Sequence, residues 1–333
     1  MKEAYLIGGQ QKSDRSLIEN NQDWYQYQKG VVLQVDLEQS TIAQCFEYVS
    51  PLSVRAESDP VLFKAGSIED NRLFLCTQTE VIIFKVPGFE RIGYISLPCF
   101  NDLHHVRPAK DGNLIIANSG LEMVMEVTPT GKVVREWNVL GEDPWEHFSK
   151  TVDYRFGINL KPHQAHPNHI FYIGDEIWVT RFEQRDAVSL KDPNRRLLAG
   201  IERVHDGVYL NGQVYLTTVH GSLVIFNSET LEVDEMIDLR SMHDKDVLLG
   251  WCRGLLIEDG KAWVGFSRIR PTKFRQAVSW VRQGFNKSLP SHIACYDLQR
   301  KQCVAEIDVE AFGLNAIFSI LPCSSHQKGV EGK

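Results

Sequence analysis

Histidines and arginines recur at matching points of a repeated pattern in this 333-residue chain. Counting back seven residues from the glycine of successive Asp-Gly or Asn-Gly turns lands on His105, His205 and Arg253. The equivalent places elsewhere fall near Lys64, Asn168 and Asn315. The segments leading into them carry His104, His163, His166, His169 and His243. Several histidines and arginines gathered at one concave mouth permit two chemistries. Neutral imidazoles bind zinc, iron, nickel or copper and leave one position open for water. The ligands would then be drawn from His105, His166, His169 and His205, with His220 as a further candidate. Alternatively, a histidine acts as nucleophile or general acid/base without a metal while arginine grips an anion through its bidentate fork. His105, His166, His205 and Arg181 would then be catalytic. Arg253, Asn168, His104, His220, Arg268 and Arg270 would hold the substrate.

The scaffold that gathers these residues is legible as a repeat. Five segments share one grammar: FKAGSIEDNRLFLCTQT (63–79), HHVRPAKDGNLIIANSG (104–120), NHIFYIGDEIWVTRFEQ (168–184), HDGVYLNGQVYLTTVHG (205–221) and RGLLIEDGKAWVGFSR (253–268). Each reads as two strands joined by a hairpin whose Asp, Asn and Gly residues supply positive φ. Two further strand-like runs follow each pair, as in 123–139, 222–239 and 292–309. Four strands per unit at roughly 40–50 residue spacing predict a β-propeller. The segment 314–322 supplies a first strand with no successor, and 4–9, 30–37 and 41–49 supply three strands with no first. Their pairing closes a ring of six blades and removes the free sheet edges. The expected architecture is therefore all-β, one domain over 1–333. Its blades cover roughly 314–322 plus 4–50, 60–99, 104–139, 168–203, 205–239 and 253–309.

In such a ring the inner strands begin on one face, and the second strands end on that face with Gln78, Asn118, Arg181, His220 and Arg268. Insertions at 140–167 and 268–291 arrive there too, and loops on a rigid scaffold are where function concentrates. The second insertion carries Arg268, Arg270, Lys273, Arg275, Arg282 and Lys287, with Phe274, Ala277, Val278, Val281 and Phe285 at helical spacing. This predicts an amphipathic basic helix. Its roles are a helix packed on the propeller with a solvated cationic face, a lid for an anionic substrate, or a weak membrane-surface contact through 268–287.

The segment HHVRPAKDGNLIIANSG resembles the His-His then Asp/Asn-Gly-Asn pattern of arylsulfotransferase-type propellers. His166-Pro-Asn168 followed by Arg181, and the element from Val204 through His205-Asp206, are similar to two further motifs of that family, over about residues 100–225. The resemblance implies a transiently sulfated histidine that passes the group to a phenolic acceptor without a metal. By position it implies His205 as nucleophile, with Arg181, His166 and His105 on the sulfuryl oxygens. His-Asp-Gly stands where the family has His-Asp-Ala, and both insertions are unmatched.

Composition narrows the partners. The net charge is −7 and the pI about 5.9, against nucleic acid as main partner. No apolar run reaches the roughly 18–20 residues of a membrane span. No secretory signal opens the chain. Seven cysteines without a CxxC pair read as buried free thiols in a reducing compartment, and so a cytoplasmic protein. The expected function is an intracellular arylsulfotransferase-like group transfer on a small anionic or phenolic substrate. A His-ligated metal-dependent lyase, hydrolase or oxygenase on the same face is the alternative. A non-catalytic binding propeller is the second.

Overall fold

The computed structural model describes residues 2–12, 27–157, 164–200, 202–243, 248–268 and 289–323. Among these, strands form six four-stranded antiparallel sheets. The first carries β1 (Glu3–Gln11), β2 (Tyr27–Asp36) and β3 (Thr41–Tyr48), and its innermost place belongs to β24 (Ala316–Pro322) from the other end of the chain. The second is β4 (Ser67–Glu69), β5 (Arg72–Cys76), β6 (Val81–Lys85) and β7 (Glu90–Ile95). The third is β8 (Leu103–Pro108), β9 (Leu114–Asn118), β10 (Met123–Val127) and β11 (Val133–Asn138). The fourth is β12 (Pro167–Ile173), β13 (Glu176–Arg181), β14 (Asp186–Ser189) and β15 (Arg196–Leu198). The fifth is β16 (Val204–Leu210), β17 (Gln213–Thr218), β18 (Ser222–Asn227) and β19 (Val233–Asp238). The sixth is β20 (Trp251–Glu258), β21 (Lys261–Ser267), β22 (His292–Asp297) and β23 (Gln302–Asp308). The inner strands β24, β4, β8, β12, β16 and β20 contact one another in a closed circle. The chain is a six-bladed β-propeller closed by its two ends, as the repeat predicts.

The hairpin turns obey their sequence. Asn211-Gly212 and Asp259-Gly260 both take positive φ at both positions, the twist that a two-residue hairpin between right-twisted strands needs. Apolar side chains fill the spaces between neighbouring blades. Phe74, Ile83 and Ile95 of the second blade pack with Val106, Ile116 and Met125 of the third. Phe171 and Trp178 of the fourth pack with Val214, Leu216 and Phe226 of the fifth. Each blade thus buries both faces, and its strands read as nearly continuous apolar runs.

Of the first insertion, residues 140–157 pack along blades two and three, while its His166 reaches His104 near the centre. Trp145, Phe148 and Tyr154 pack against the cluster shared by blades two and three, and the Asn101 amide donates to the carbonyls of Tyr154 and Gly157, both at 2.6 Å. The expected basic helix and membrane contact at 268–287 lie, beyond Arg268, outside the described residues, as do His163 and Arg270.

One irregularity recurs. The inner strands of five blades break register at the same tier: at His104 in β8, at Asn168-His169 in β12, at His205-Asp206 in β16, at Gly254 in β20 and at Phe318 in β24. In the second blade the corresponding residues, Lys64–Gly66, precede β4 altogether. A bulge inserts an unpaired residue and re-aims its side chain. Here the re-aimed set is largely polar or aromatic and faces the centre.

The closure depends on the same tier. A Cβ on Gly8 would stand 1.7 Å from the Ala316 carbonyl oxygen, beside the Phe318 bulge. Gly8→Ala therefore destabilises the ring by about 1–3 kcal/mol, read as a lower urea midpoint. An unchanged midpoint would contradict this closure.

Candidate functional site

The bulged tier places two groups of side chains around the axis. In the first, the Lys64 ammonium donates to the Asp102 carboxylate at 3.0 Å and stands 3.4 Å from His104 Nε2. His104 Nδ1 is 2.9 Å from the Asp102 carbonyl, so its proton sits on Nδ1 and its Nε2 lone pair faces the ammonium. The His166 ring meets His104 edge-on at 4.5 Å. Its loop is held because the buried Glu122 carboxylate accepts the backbone N–H of both Ala165 and His166 at 2.8 Å.

In the second group, His205 Nδ1–H donates to the Asp206 carboxylate at 3.0 Å. That carboxylate also accepts the Gly254 N–H at 2.8 Å and the Thr217 hydroxyl at 3.4 Å. His205 Nε2 is buried and has no hydrogen-bond partner. Asn168, 1% exposed, likewise has neither side-chain amide atom bonded. Phe318 links the groups. Lys64 Nζ lies 5.1 Å and the Arg253 guanidinium 4.5 Å from its ring centre, with the His205 ring at 6.4 Å. Cations over an aromatic face are attracted to its quadrupole.

Burial sets the charge states. It pushes His104 and His105 well below the usual 6.5. It also lowers His205, against the pull of Asp206, and takes His169 down to about 4. Burial lowers Lys64 too, with Asp102 opposing, and brings Arg253 down to about 10. Asp102 is pushed up by burial, yet the Lys64 ammonium and the neighbouring imidazoles hold it well below the carboxylate range. The tier at neutral pH thus holds two buried cations, two carboxylates and uncharged His104, His105, His169 and His205.

The residues expected from sequence divide accordingly. His104, His166, His205, Asn168 and Arg253 reach the central tier. His105 does not act there: Ile170 N–H donates to its Nδ1 at 2.9 Å, and its Nε2–H donates to the Gly66 carbonyl at 3.2 Å. Both nitrogens hold neighbouring blades, and the ring stacks on His169 at 3.9 Å. Arg181 is also committed elsewhere. Its fork binds Asp186 through two bonds of 2.9 and 2.6 Å, and its remaining edge donates to the Val139 carbonyl at 2.7 Å. His220 is exposed beyond β17. Arg268 pairs with Glu310 at 2.9 Å.

The expected metal quartet His105, His166, His169 and His205 is not assembled. His105 is spent, and His169 Nδ1 accepts the Gly207 N–H at 3.3 Å. Donor atoms of Asp102, His104 and His166 do come within 4.8 Å of one another, but the Lys64 ammonium already supplies a cation there. Lys64 was expected only near the mouth. Asp206 is marked by sequence only as a carboxylate near the mouth and within the His205-Asp206 element of the resemblance, and Phe318 only by its place in the closing strand.

No family model and no curated protein matches the sequence. A solved structure of a protein of unknown function from Bacteroides caccae is similar, with a TM-score of 0.61 at 14% identity, over 97% of this chain and 99% of that one. The β-propeller domain of Cps50 (Swd1) from Myceliophteria thermophila is similar with a TM-score of 0.50 at 8% identity, over 88% and 83%. At these identities the likeness is one of fold.

The buried neutral histidines predict acid sensitivity. An unfolded chain protonates them near 6.5, whereas the folded tier resists protonation until far lower, about 4 for His169. Stability therefore falls as pH drops from about 6.5 towards 4, by up to about 1.4 kcal/mol per pH unit for each such histidine. Urea midpoints at pH 7.5, 6 and 5 measure it. A flat profile would contradict the buried neutral assignment.

Proposed function

We propose that the central tier is the active site of a metal-free group-transfer enzyme. It takes a sulfuryl group from an aryl ester to a phenolic acceptor, with His205 as nucleophile. The observation that carries this reading is the His205–Asp206 pair. Asp206 fixes the Nδ1–H tautomer, so the lone pair on the buried, unpartnered Nε2 is available to attack. Lys64, Arg253 and the unbonded Asn168 amide supply the cations and donors that a tetrahedral anion requires.

In the first step Nε2 bonds to sulfur as the bond from sulfur to the aryl oxygen breaks. The departing phenolate takes a proton from the Lys64 ammonium, whose basicity burial has already reduced. Asp206 stabilises the cationic sulfated imidazole. In the second step the acceptor phenol gives its proton to Lys64 as its oxygen bonds to sulfur, and the bond to Nε2 breaks. His104 and His166 orient the group. Arg181 and His105, which the family resemblance would place on the sulfuryl oxygens, hold the scaffold instead. Seven cysteines without a disulfide suit a reducing, cytoplasmic setting.

The test is release of 4-nitrophenolate from 4-nitrophenyl sulfate with and without phenol, and from the corresponding phosphate ester. Acceptor-dependent release from the sulfate is expected, falling to background in His205→Asn and by about 10²–10⁴-fold in Asp206→Asn. Undiminished turnover in His205→Asn would refute the nucleophile. Chelator-sensitive turnover would support the metal enzyme instead. Saturable aryl sulfate binding without release would point to a non-catalytic propeller.

A further inference from the structure

A second cluster, distinct from the central tier, lies at the sixth blade. His243 follows the turn of 3-10 helix Leu239–Met242, His292 opens β22, and Cys303 and Glu306 lie on the outermost strand β23. The donor atoms of His243, Cys303 and Glu306 come within 4.8 Å of one another. Glu306 Oε1 is 3.9 Å from His243 Nδ1 and 3.8 Å from His292 Nε2.

Both imidazoles are oriented from behind. His292 Nδ1–H donates to the Pro290 carbonyl at 2.8 Å, and its ring stacks on Phe266 at 5.1 Å. Its proton is thus on Nδ1, and the Nε2 lone pair points towards Glu306. That nitrogen is buried with no hydrogen-bond partner, a destabilising state unless something satisfies it. His243 Nε2 is bonded to the Tyr296 hydroxyl at 2.9 Å, leaving Nδ1 on the Glu306 side. A carbonyl or hydroxyl behind the ring is how metal-binding histidines are held in the right tautomer.

We propose that His243, Cys303 and Glu306 form a transition-metal site of the zinc(II) class, bordered by His292 beyond Glu306. An imidazole, a thiolate and a carboxylate supply three ligands of a tetrahedral set whose fourth position is left to water, and the thiolate selects zinc over magnesium or calcium. Binding a dication releases the Cys303 thiol proton to solvent, so the ion and its two anionic ligands balance in charge. Tetrahedral ligands at zinc stand about 3.4 Å apart, so His243, Cys303 and Glu306, now within 4.8 Å of one another, must close by roughly 1 Å. Glu306, nearly half exposed, opens the site to solvent and gives the ion a way in.

The experiment uses the full chain, purified without a histidine tag, stripped with chelator and titrated with cobalt(II). One cobalt per chain is expected, with tetrahedral d–d bands, a near-ultraviolet thiolate-to-cobalt band, and displacement of both by zinc. Cys303→Ser should abolish the thiolate band. His243→Gln should weaken binding at least about 10-fold. His104→Gln, in the central tier, should leave the spectrum unchanged. If His243→Gln fails to fold by circular dichroism, Cys303→Ser decides, because serine keeps the shape and removes the sulfur. Absence of tetrahedral bands, a thiolate band that survives Cys303→Ser, or loss of binding in His104→Gln would each overturn the site. Cobalt held through His104 would count against the metal-free central tier as well; the other outcomes leave sulfuryl transfer untouched.

Discussion

The inner strands of a propeller ladder only to their own blades, so backbone groups freed by bulges around the axis need side-chain partners from next door. A continuous ring supplies them. The Ser319 hydroxyl accepts the Gly66 N–H, and the Ser67 hydroxyl donates to the Val106 carbonyl. His105 accepts the Ile170 N–H, and Thr180 accepts the His169 N–H while donating to the His205 carbonyl. Asp206 accepts the Gly254 N–H, and Ser267 accepts the Ile317 N–H, returning to the closing strand. Every blade is tied to the next by at least one such bond. This ring fixes the direction of each bulged side chain, and therefore the site.

It also separates scaffold from chemistry among residues of one type. His105 and His169 spend nitrogens on backbone, and their neutrality follows from that work and from burial. His205 is different because its partner is a carboxylate, which is itself anchored by Gly254 and Thr217. One nitrogen is pinned and the other left over. An anion about 4 Å from Lys64 or Arg253 would gain about 4 kcal/mol from each at an effective dielectric of 20, before its own desolvation is counted. Both cations are already held off water by the blades, so little reorganisation remains when an anion arrives.

The sequence made the ring, its closure and the general composition of the mouth readable, because turn chemistry and strand runs repeat in every blade. It misassigned residues where one bulge shifts the alternation. Counting seven from the turn glycine selects His105, but the bulge at His104 turns that neighbour inward instead. Nothing in the sequence marks Arg181 as paired, since Asp186 is five residues away along the chain. In the sheet the two are directly opposed across β13 and β14, and the ion pair forms there. Phe318 was unreadable as a site residue, since an apolar residue in an apolar closing strand carries no mark of the bulge that exposes its ring to two cations.

The central claim is that His205 is held as the Nδ1–H tautomer, uncharged, with a free Nε2. Nitrogen-15 NMR of the chain labelled at histidine, with His205 assigned by the resonance missing in His205→Gln, reads this directly. The account predicts Nδ1 protonated and Nε2 unprotonated at pH 7, persisting below pH 6.5, with Nε2 shifting when an aryl sulfate is added. An Nε2–H tautomer, or titration at the ordinary histidine value, would contradict it.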